Sequence, residues 1–115
     1  MISEMKPIDK ELFSPYFEKW EAIRETIELF YTQKDRQALE MMEEAILAFD
    51  ELLERGGKML DERKGKWVYT LEPLNGEERL AFVKAKISSH YAFVQLDALY
   101  TETKKKVARL SIMKK

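Results

Sequence analysis

The chain contains no cysteine among its 115 residues. This excludes disulfide bonds, zinc sites built on thiolates and cysteine nucleophiles, and it is consistent with a reducing compartment. No run approaches the roughly 20 apolar residues of a membrane-spanning helix, and the first residues lack the apolar stretch of a signal peptide. We therefore expect a cytoplasmic protein that does not associate with membranes.

Glycine and proline are also scarce, with four and three residues respectively. Charged residues make up 36% of the chain, above the roughly 25% of an average globular domain, whereas 45% are hydrophobic. This composition predicts long, solvated helices around a real core. We predict one all-α domain over residues 1–115, an irregular bundle of about four helices. The formal net charge of −1 gives no overall field that would favour nucleic acid or a membrane.

Two segments have the three-four spacing of amphipathic helices. The first is predicted to begin at Ser14-Pro15, a hydroxyl cap followed by proline at the first helical position, after an arm formed by residues 1–13. The second is predicted to begin at an Asp35 cap and to end at Gly56-Gly57, where glycine can take a left-handed conformation. The short connection between them predicts an antiparallel pair. We expect Trp20 in the first helix and Ile46 in the second to be buried.

Residues 58–74 are predicted to form a partly extended crossover. The sequence WVYTLEP favours a strand by composition, but no other segment offers a clear partner for it. We therefore expect Trp67, Tyr69 or Leu71 to pack over the bundle.

The third helix is predicted to begin with an Asn75 cap, and Ser88-Ser89 is predicted to break it from the fourth. The fourth helix is expected to run from about His90 to about Leu110, with a core residue at Leu96. Residues 101–106 are polar on every side and are expected to project past the core. Residues 111–115 are expected to fray.

His90 is the only histidine in the chain. Metal sites in helical bundles need several converging histidines and carboxylates, and a Glu-x-x-His motif is absent because Ile87 precedes His90 by three residues. We therefore favour a structural or exposed histidine. The alternative is a general base acting with Asp97, two turns further along the same helix.

The second helix is strongly acidic, and Glu40, Glu43 and Glu44 share one of its faces. The alternative functional interpretation is a metal-dependent hydrolase that binds magnesium there. We favour a solvated acidic face, because no second pair of acids has the required spacing. Gly56-Gly57 lacks the spacing of a phosphate-binding loop, and we expect no cofactor.

The C-terminal residues 101–115 contain six basic residues against Glu102, which gives them a net charge of +5 and leaves −6 for the rest. Cations at a chain end attract phosphates or an acidic protein surface. We rank nucleic-acid binding second, because no aromatic follows Tyr100 to stack on a base. Our preferred hypothesis is that this end contacts the acidic second helix, in the same molecule or in another subunit.

Several stretches together resemble one family. They are Phe17–Trp20 (FEKW), Trp67, residues 73–80 (PLNGEERL), His90-Tyr91, residues 93–96 (FVQL) and the lysine-rich end. They resemble the YpoC-like proteins of Gram-positive bacilli. The resemblance implies no activity and no catalytic residues; genes of that family tend to lie near replication and repair genes, which implies a class of partner.

The sequence therefore favours a non-enzymatic interaction protein that binds a protein partner or associates with itself. The hydrolase and weak nucleic-acid binding remain the alternatives. The residues that we expect to contact a partner are Trp67, Tyr69, His90, Lys104, Lys105, Lys106 and Arg109.

Overall fold

The structure, a computed structural model, describes residues 8–112. It contains four helices and one β-hairpin, which confirms the predicted helical bundle with an extended crossover. In chain order the elements are α1 (Lys10–Thr32), α2 (Gln37–Arg55), β1 (Lys58–Asp61), β2 (Lys66–Tyr69), α3 (Gly76–Ala85) and α4 (His90–Ile112). None of the helices in this part of the chain is long and apolar enough to cross a membrane.

Helix α1 begins one turn earlier than predicted. Asp9 is its cap, because the Asp9 carboxylate accepts a hydrogen bond of 3.0 Å from the Glu11 amide. Pro15 therefore lies inside the helix, and the Ser14 hydroxyl donates to the carbonyl of Lys10 instead of capping. The extra turn buries Phe13, which accounts for the earlier start. The predicted N-terminal arm is thus wrong for residues 10–13, and its residues 1–7 lie outside the described part.

Helices α1 and α2 pack against each other, joined by the predicted short connection. The Asp35 carboxylate accepts a 2.9 Å hydrogen bond from the Gln37 amide, as expected for a residue that starts a helix. Gly57, with φ +78°, takes the left-handed conformation after the helix ends.

Helix α4 packs on α1 and α3 along its length and touches α2. Trp20 of α1 lies flat on Tyr100 of α4, with 4.7 Å between ring centroids, and Phe49 of α2 meets the same ring edge-on at 5.0 Å. Trp20, Ile46 and Leu96 are all buried, as the sequence predicts. One aromatic cluster thus joins three helices.

The expectation that residues 101–106 project past the core is wrong. Thr103 is fully buried and Val107 is nearly so, because α4 continues to pack on the body beyond its polar stretch. Because the two lysines directly after Thr103 are exposed, the polar sequence of this stretch gave no sign that Thr103 faces inward. The Thr103 hydroxyl has no hydrogen-bond partner among the described residues. The predicted fraying is wrong for residues 111 and 112, which continue α4, and residues 113–115 lie outside the described part.

Helix α3 does not begin with the predicted side-chain cap. Asn75 adopts a left-handed conformation with φ +55°, and its side chain makes no capping bond. Asparagine tolerates this conformation better than most residues, which explains its presence there. The break before α4 is confirmed, because the Ser89 hydroxyl accepts a 3.1 Å hydrogen bond from the Tyr91 amide.

The crossover contains a partner for the strand-like segment, contrary to expectation. β1 and β2 pair antiparallel, with Lys58 opposite Tyr69 and Asp61 opposite Lys66. Of the three side chains expected to pack over the bundle, Leu71 is the one that is fully buried. A Cβ at Gly56 would lie 2.6 Å from the Leu71 side chain, so glycine at that position permits the close approach.

We predict that Leu96→Ala lowers the free energy of unfolding by about 2–5 kcal/mol, because Leu96 is fully buried in the N-terminal half of α4. Urea titration followed by circular dichroism measures the change. The matched control is Leu47→Ala in α2, where the leucine is 68% exposed and a change within about 0.5 kcal/mol is expected. Equal effects of the two substitutions would contradict the position of α4.

Candidate interaction site

An open groove of about 950 Å³ lies between the β-hairpin and the C-terminal half of α4. We call it the hairpin groove. Its lining residues are residues 59–64, Val68, Tyr69, residues 72–75, Glu102, Lys106 and Arg109.

The turn of the hairpin is fixed by Asp61 and Gly65. The Asp61 carboxylate accepts hydrogen bonds from the backbone amides of Arg63 and Lys64, at 3.0 and 3.3 Å. The Gly65 amide donates to the Asp61 carbonyl at 2.7 Å, and Gly65 takes φ +63°. A left-handed residue in this position favours glycine. The turn therefore holds the cationic side chains of Arg63 and Lys64 at one end of the groove.

The two faces of the hairpin carry different apolar residues. Side chains alternate along a strand, and directly opposite residues share a face. The register therefore places Met59 and Val68 on one face, and Leu60 and Trp67 on the other. Trp67 is 65% exposed and Leu60 is 46% exposed. The hairpin thus presents large apolar side chains to solvent.

The opposite wall of the groove is basic. The Lys106 ammonium donates a 2.8 Å hydrogen bond to the Glu72 carbonyl, which ties α4 to the crossover. Burial lowers the pKa of Lys106, and the nearby charge of Arg109 lowers it further. Lys106 and Arg109 therefore form a positive spot on this wall.

Arg79 joins two lining residues of the groove, Leu74 in the crossover and Glu102 in α4. Its guanidinium makes two 2.8 Å hydrogen bonds to the Glu102 carboxylate and a third to the Leu74 carbonyl at 3.0 Å. This bidentate pair fixes geometry as well as charge. The hydrogen bonds from Arg79 hold the pKa of Glu102 below its ordinary value. Glu102 is therefore already neutralised by a neighbour inside the molecule.

The structure brings together three of the predicted contact residues, Tyr69, Lys106 and Arg109, which all line the hairpin groove. Trp67 lies beside a second, smaller groove of about 450 Å³ between the hairpin and α3. Lys104 and Lys105 line a third cleft, between α1 and α4.

The lining residues that sequence reasoning missed include Met59, Leu60, Arg63 and Lys64. The signal that could have found them is the order of three short segments: KMLD, then a four-residue turn that contains glycine, then the strand-like segment.

His90 lies at the other end of α4, about 28 Å along the helix from Arg109 at 1.5 Å per residue. Its half-exposed ring stacks on Phe93 at 5.6 Å and meets Tyr31 edge-on at 5.9 Å. The His90 Nε2 atom is 3.5 Å from a Glu28 carboxylate oxygen. These contacts place His90 as a packing residue at the start of the helix.

Asp97, considered above as its catalytic partner, is engaged elsewhere. Its carboxylate accepts hydrogen bonds from Trp20 Nε1 at 2.8 Å and from two nitrogens of Arg24 at 3.0 and 2.7 Å. Burial favours the neutral form of Asp97, but the hydrogen bonds from Arg24 and Trp20 outweigh it and hold its pKa below the ordinary value. Asp97 therefore joins α1 to α4.

Glu40, Glu43 and Glu44 are exposed on the outer face of α2. Among residues 8–112, no group of three or more histidine, aspartate or glutamate side chains converges in a way that could hold a metal ion.

Within one molecule, the described residues at the basic end of α4 form no ion pair with the acidic helix, contrary to that part of our hypothesis. Lys104 instead forms a 2.7 Å ion pair with Glu21 of α1, and Lys106 reaches the crossover. Helix α4 packs chiefly between α1 and α3, so this end of it faces α1 and the crossover rather than the acidic surface of α2.

A family model described as YpoC-like protein matches residues 10–115. The chain belongs to the YpoC-like family. No curated protein and no solved structure matches the chain. The match begins at the first residue of α1, so the YpoC-like region includes all four helices and the hairpin.

We predict that the stabilising effect of Asp97 is lost in acid. Because its folded pKa lies below the unfolded value of about 3.9, the contribution is fully present above that pH and disappears as pH falls through the folded pKa. At pH 7, Asp97→Asn should lower the free energy of unfolding by about 1 kcal/mol, since Arg24 is partly exposed and solvent screens the pair. Urea titrations from pH 7 to pH 2.5 measure the difference from wild type.

Glu21→Gln is the control, because it weakens an ion pair of similar length whose two partners are both half exposed. We expect it to change stability little at any pH. A difference between wild type and Asp97→Asn that stays constant down to pH 2.5 would contradict the assignment.

Proposed function

We propose that this YpoC-like chain is a non-enzymatic interaction protein of the cytoplasm and that the hairpin groove is its docking surface for a protein partner. The observation that carries the proposal is the exposure of Met59 and Leu60, two apolar residues of a two-stranded sheet that line the groove. No helix in the described part of the chain packs extensively on that sheet. Clustered apolar side chains on a protein surface are typical of interaction sites.

An isolated two-stranded hairpin is at best marginally stable in water. Here it is attached to the body through its ends, by the buried Leu71 and by the Lys106–Glu72 contact. The side chains of Leu60 and Trp67 are exposed, and they therefore contribute little to the stability of the free protein. Tryptophan is enriched among the residues that dominate binding energy at interfaces, and this supports a role for Trp67 in contacting a partner.

The groove suits contact better than catalysis. The carboxylates of Asp61 and Glu102, which line it, already accept hydrogen bonds from turn amides and from Arg79. The other side chains of the groove form an apolar wall, with Met59 and Val68, that faces the basic wall on α4. Such a surface fits a segment that carries both apolar and acidic side chains.

Affinity capture from a native cell extract, quantified by mass spectrometry, tests this proposal. Three forms of the protein serve as bait: wild type, the double variant Met59→Ser with Leu60→Ser, whose two positions line the hairpin groove, and the control Leu47→Ser. Leu47 is 68% exposed on α2 and lines neither groove beside the hairpin, so its loss controls for surface hydrophobicity. Melting curves establish that all three fold.

We expect a protein that is retained equally by wild type and Leu47→Ser, and at least tenfold less by the hairpin variant. One well-buried contact residue at an interface is commonly worth more than 1 kcal/mol, so the loss of two accounts for that factor. Identical recovery of every captured protein by the three baits would contradict the proposal.

A further inference from the structure

The hydrogen bonding of the hairpin identifies the free backbone groups of β1. The Thr70 amide donates to the Gly57 carbonyl at 2.8 Å, and the register places Lys58 opposite Tyr69 in the next pair. In an antiparallel ladder, pairs that exchange hydrogen bonds alternate with pairs that do not. Lys58 and Tyr69 therefore form a pair without mutual hydrogen bonds.

It follows that Met59 and Asp61 direct their backbone groups towards β2, whereas Lys58 and Leu60 direct theirs away. Among the described residues, no backbone group outside the sheet bonds to Lys58 or Leu60. The amide and carbonyl groups of these two residues thus form an open edge. Such an edge is a ready template for another strand.

At Leu60 the open edge borders the hairpin groove, whereas Lys58 lies beside the second groove, next to α3. Three of the four β1 residues and the first three residues of the turn line the groove, whereas β2 contributes only Val68 and Tyr69. The far wall is α4, with Lys106 and Arg109. A strand placed beside β1 would therefore lie between the hairpin and the positive spot on α4.

Charge complementarity favours an acidic occupant. Arg63, Lys64 and Arg109 line the groove, and none of them forms an ion pair with a described residue. Together with Lys106 these cations exceed the lining carboxylates of Asp61, Glu62 and Glu72 by one charge, because the fourth lining carboxylate, Glu102, is already paired with Arg79. The repulsion between Lys106 and Arg109 would be relieved by an added carboxylate.

We infer that an acidic, extended segment of a partner protein docks in the hairpin groove by adding a third strand to the open edge of β1. This inference rests on the proposed function and specifies the chemistry and conformation of the partner. The partner's backbone bonds to Lys58 and Leu60, its acidic side chains face α4 and the turn, and its apolar side chains contact the exposed residues of the hairpin.

Two substitutions at one position separate the backbone from the side chain. Leu60→Pro removes the outward-facing amide, and proline is tolerated on the edge of a sheet because the ladder to β2 does not use that amide. Leu60→Thr keeps the amide and also removes the leucine side chain. Circular dichroism and melting curves of both variants establish that the body of the protein folds.

The probe is a fluorescent peptide of about six residues that alternates glutamate and valine, titrated with the full chain and followed by anisotropy. A peptide that alternates lysine and valine is the charge control. A copy of the acidic peptide with N-methyl groups at alternate residues is the backbone control, because it cannot complete the ladder.

We expect the acidic peptide to bind, with an affinity that falls as salt is added, and the basic peptide and the N-methylated peptide not to bind. Leu60→Pro should weaken binding about tenfold relative to Leu60→Thr, since it leaves a carbonyl of the bound peptide without a donor.

Equal binding to Leu60→Pro and Leu60→Thr, or no binding of the acidic peptide up to about 1 mM, would overturn the inference. The function proposed above would then still stand if the hairpin variant loses its captured protein.

Concentration-dependent dimerisation of the wild-type chain that Leu60→Pro abolishes would identify a second copy of the chain as the occupant and would also overturn the inference. If the peptide binds as expected but capture does not depend on the hairpin, the proposed function fails by itself.

Discussion

The burial of α4 is the constraint on which the rest of the structure depends. At Tyr100 three helices meet: its ring lies against Trp20 of α1 and Phe49 of α2, and its hydroxyl donates a 2.7 Å hydrogen bond to the Ala45 carbonyl. Burial raises the pKa of Tyr100, so the hydroxyl remains a donor at neutral pH. Because the polar end of tyrosine is satisfied by a backbone carbonyl, this large ring can occupy the core without an unpaired group.

The same helix also determines where the crossover lies. Lys106 and the Arg79–Glu102 pair attach residues 72–74 to α4, while Leu71 fills the space left open by Gly56. These contacts hold both ends of the crossover but leave the hairpin between them without a covering helix. The open edge and the exposed apolar side chains are thus direct consequences of how the crossover is attached.

Much of this fold could be predicted from the sequence where local signals agree with packing. The acidic second helix, with glycine at its end, and the break at Ser89 were predictable because the cap and the periodicity indicate the same boundary. The start of α1 at Asp9 was not, since burial of Phe13 outweighs the proline signal. The burial of Thr103 could not be predicted, because it depends on contacts with neighbouring helices. The hairpin was missed because its two strands have only four residues each, and pairing depends on a turn that begins at Asp61.

Hydrogen exchange at single amides tests the central claim most directly, which is that a body organised by α4 carries a hairpin whose β1 edge is open. The account predicts that amides of α4 from Phe93 to Val107 exchange slowest, through global unfolding. It predicts that the Met59 amide is protected by the ladder, whereas the neighbouring Leu60 amide exchanges at nearly the rate of an unfolded chain. Protection of Leu60 equal to that of Met59, or rapid exchange at Val107, would contradict it.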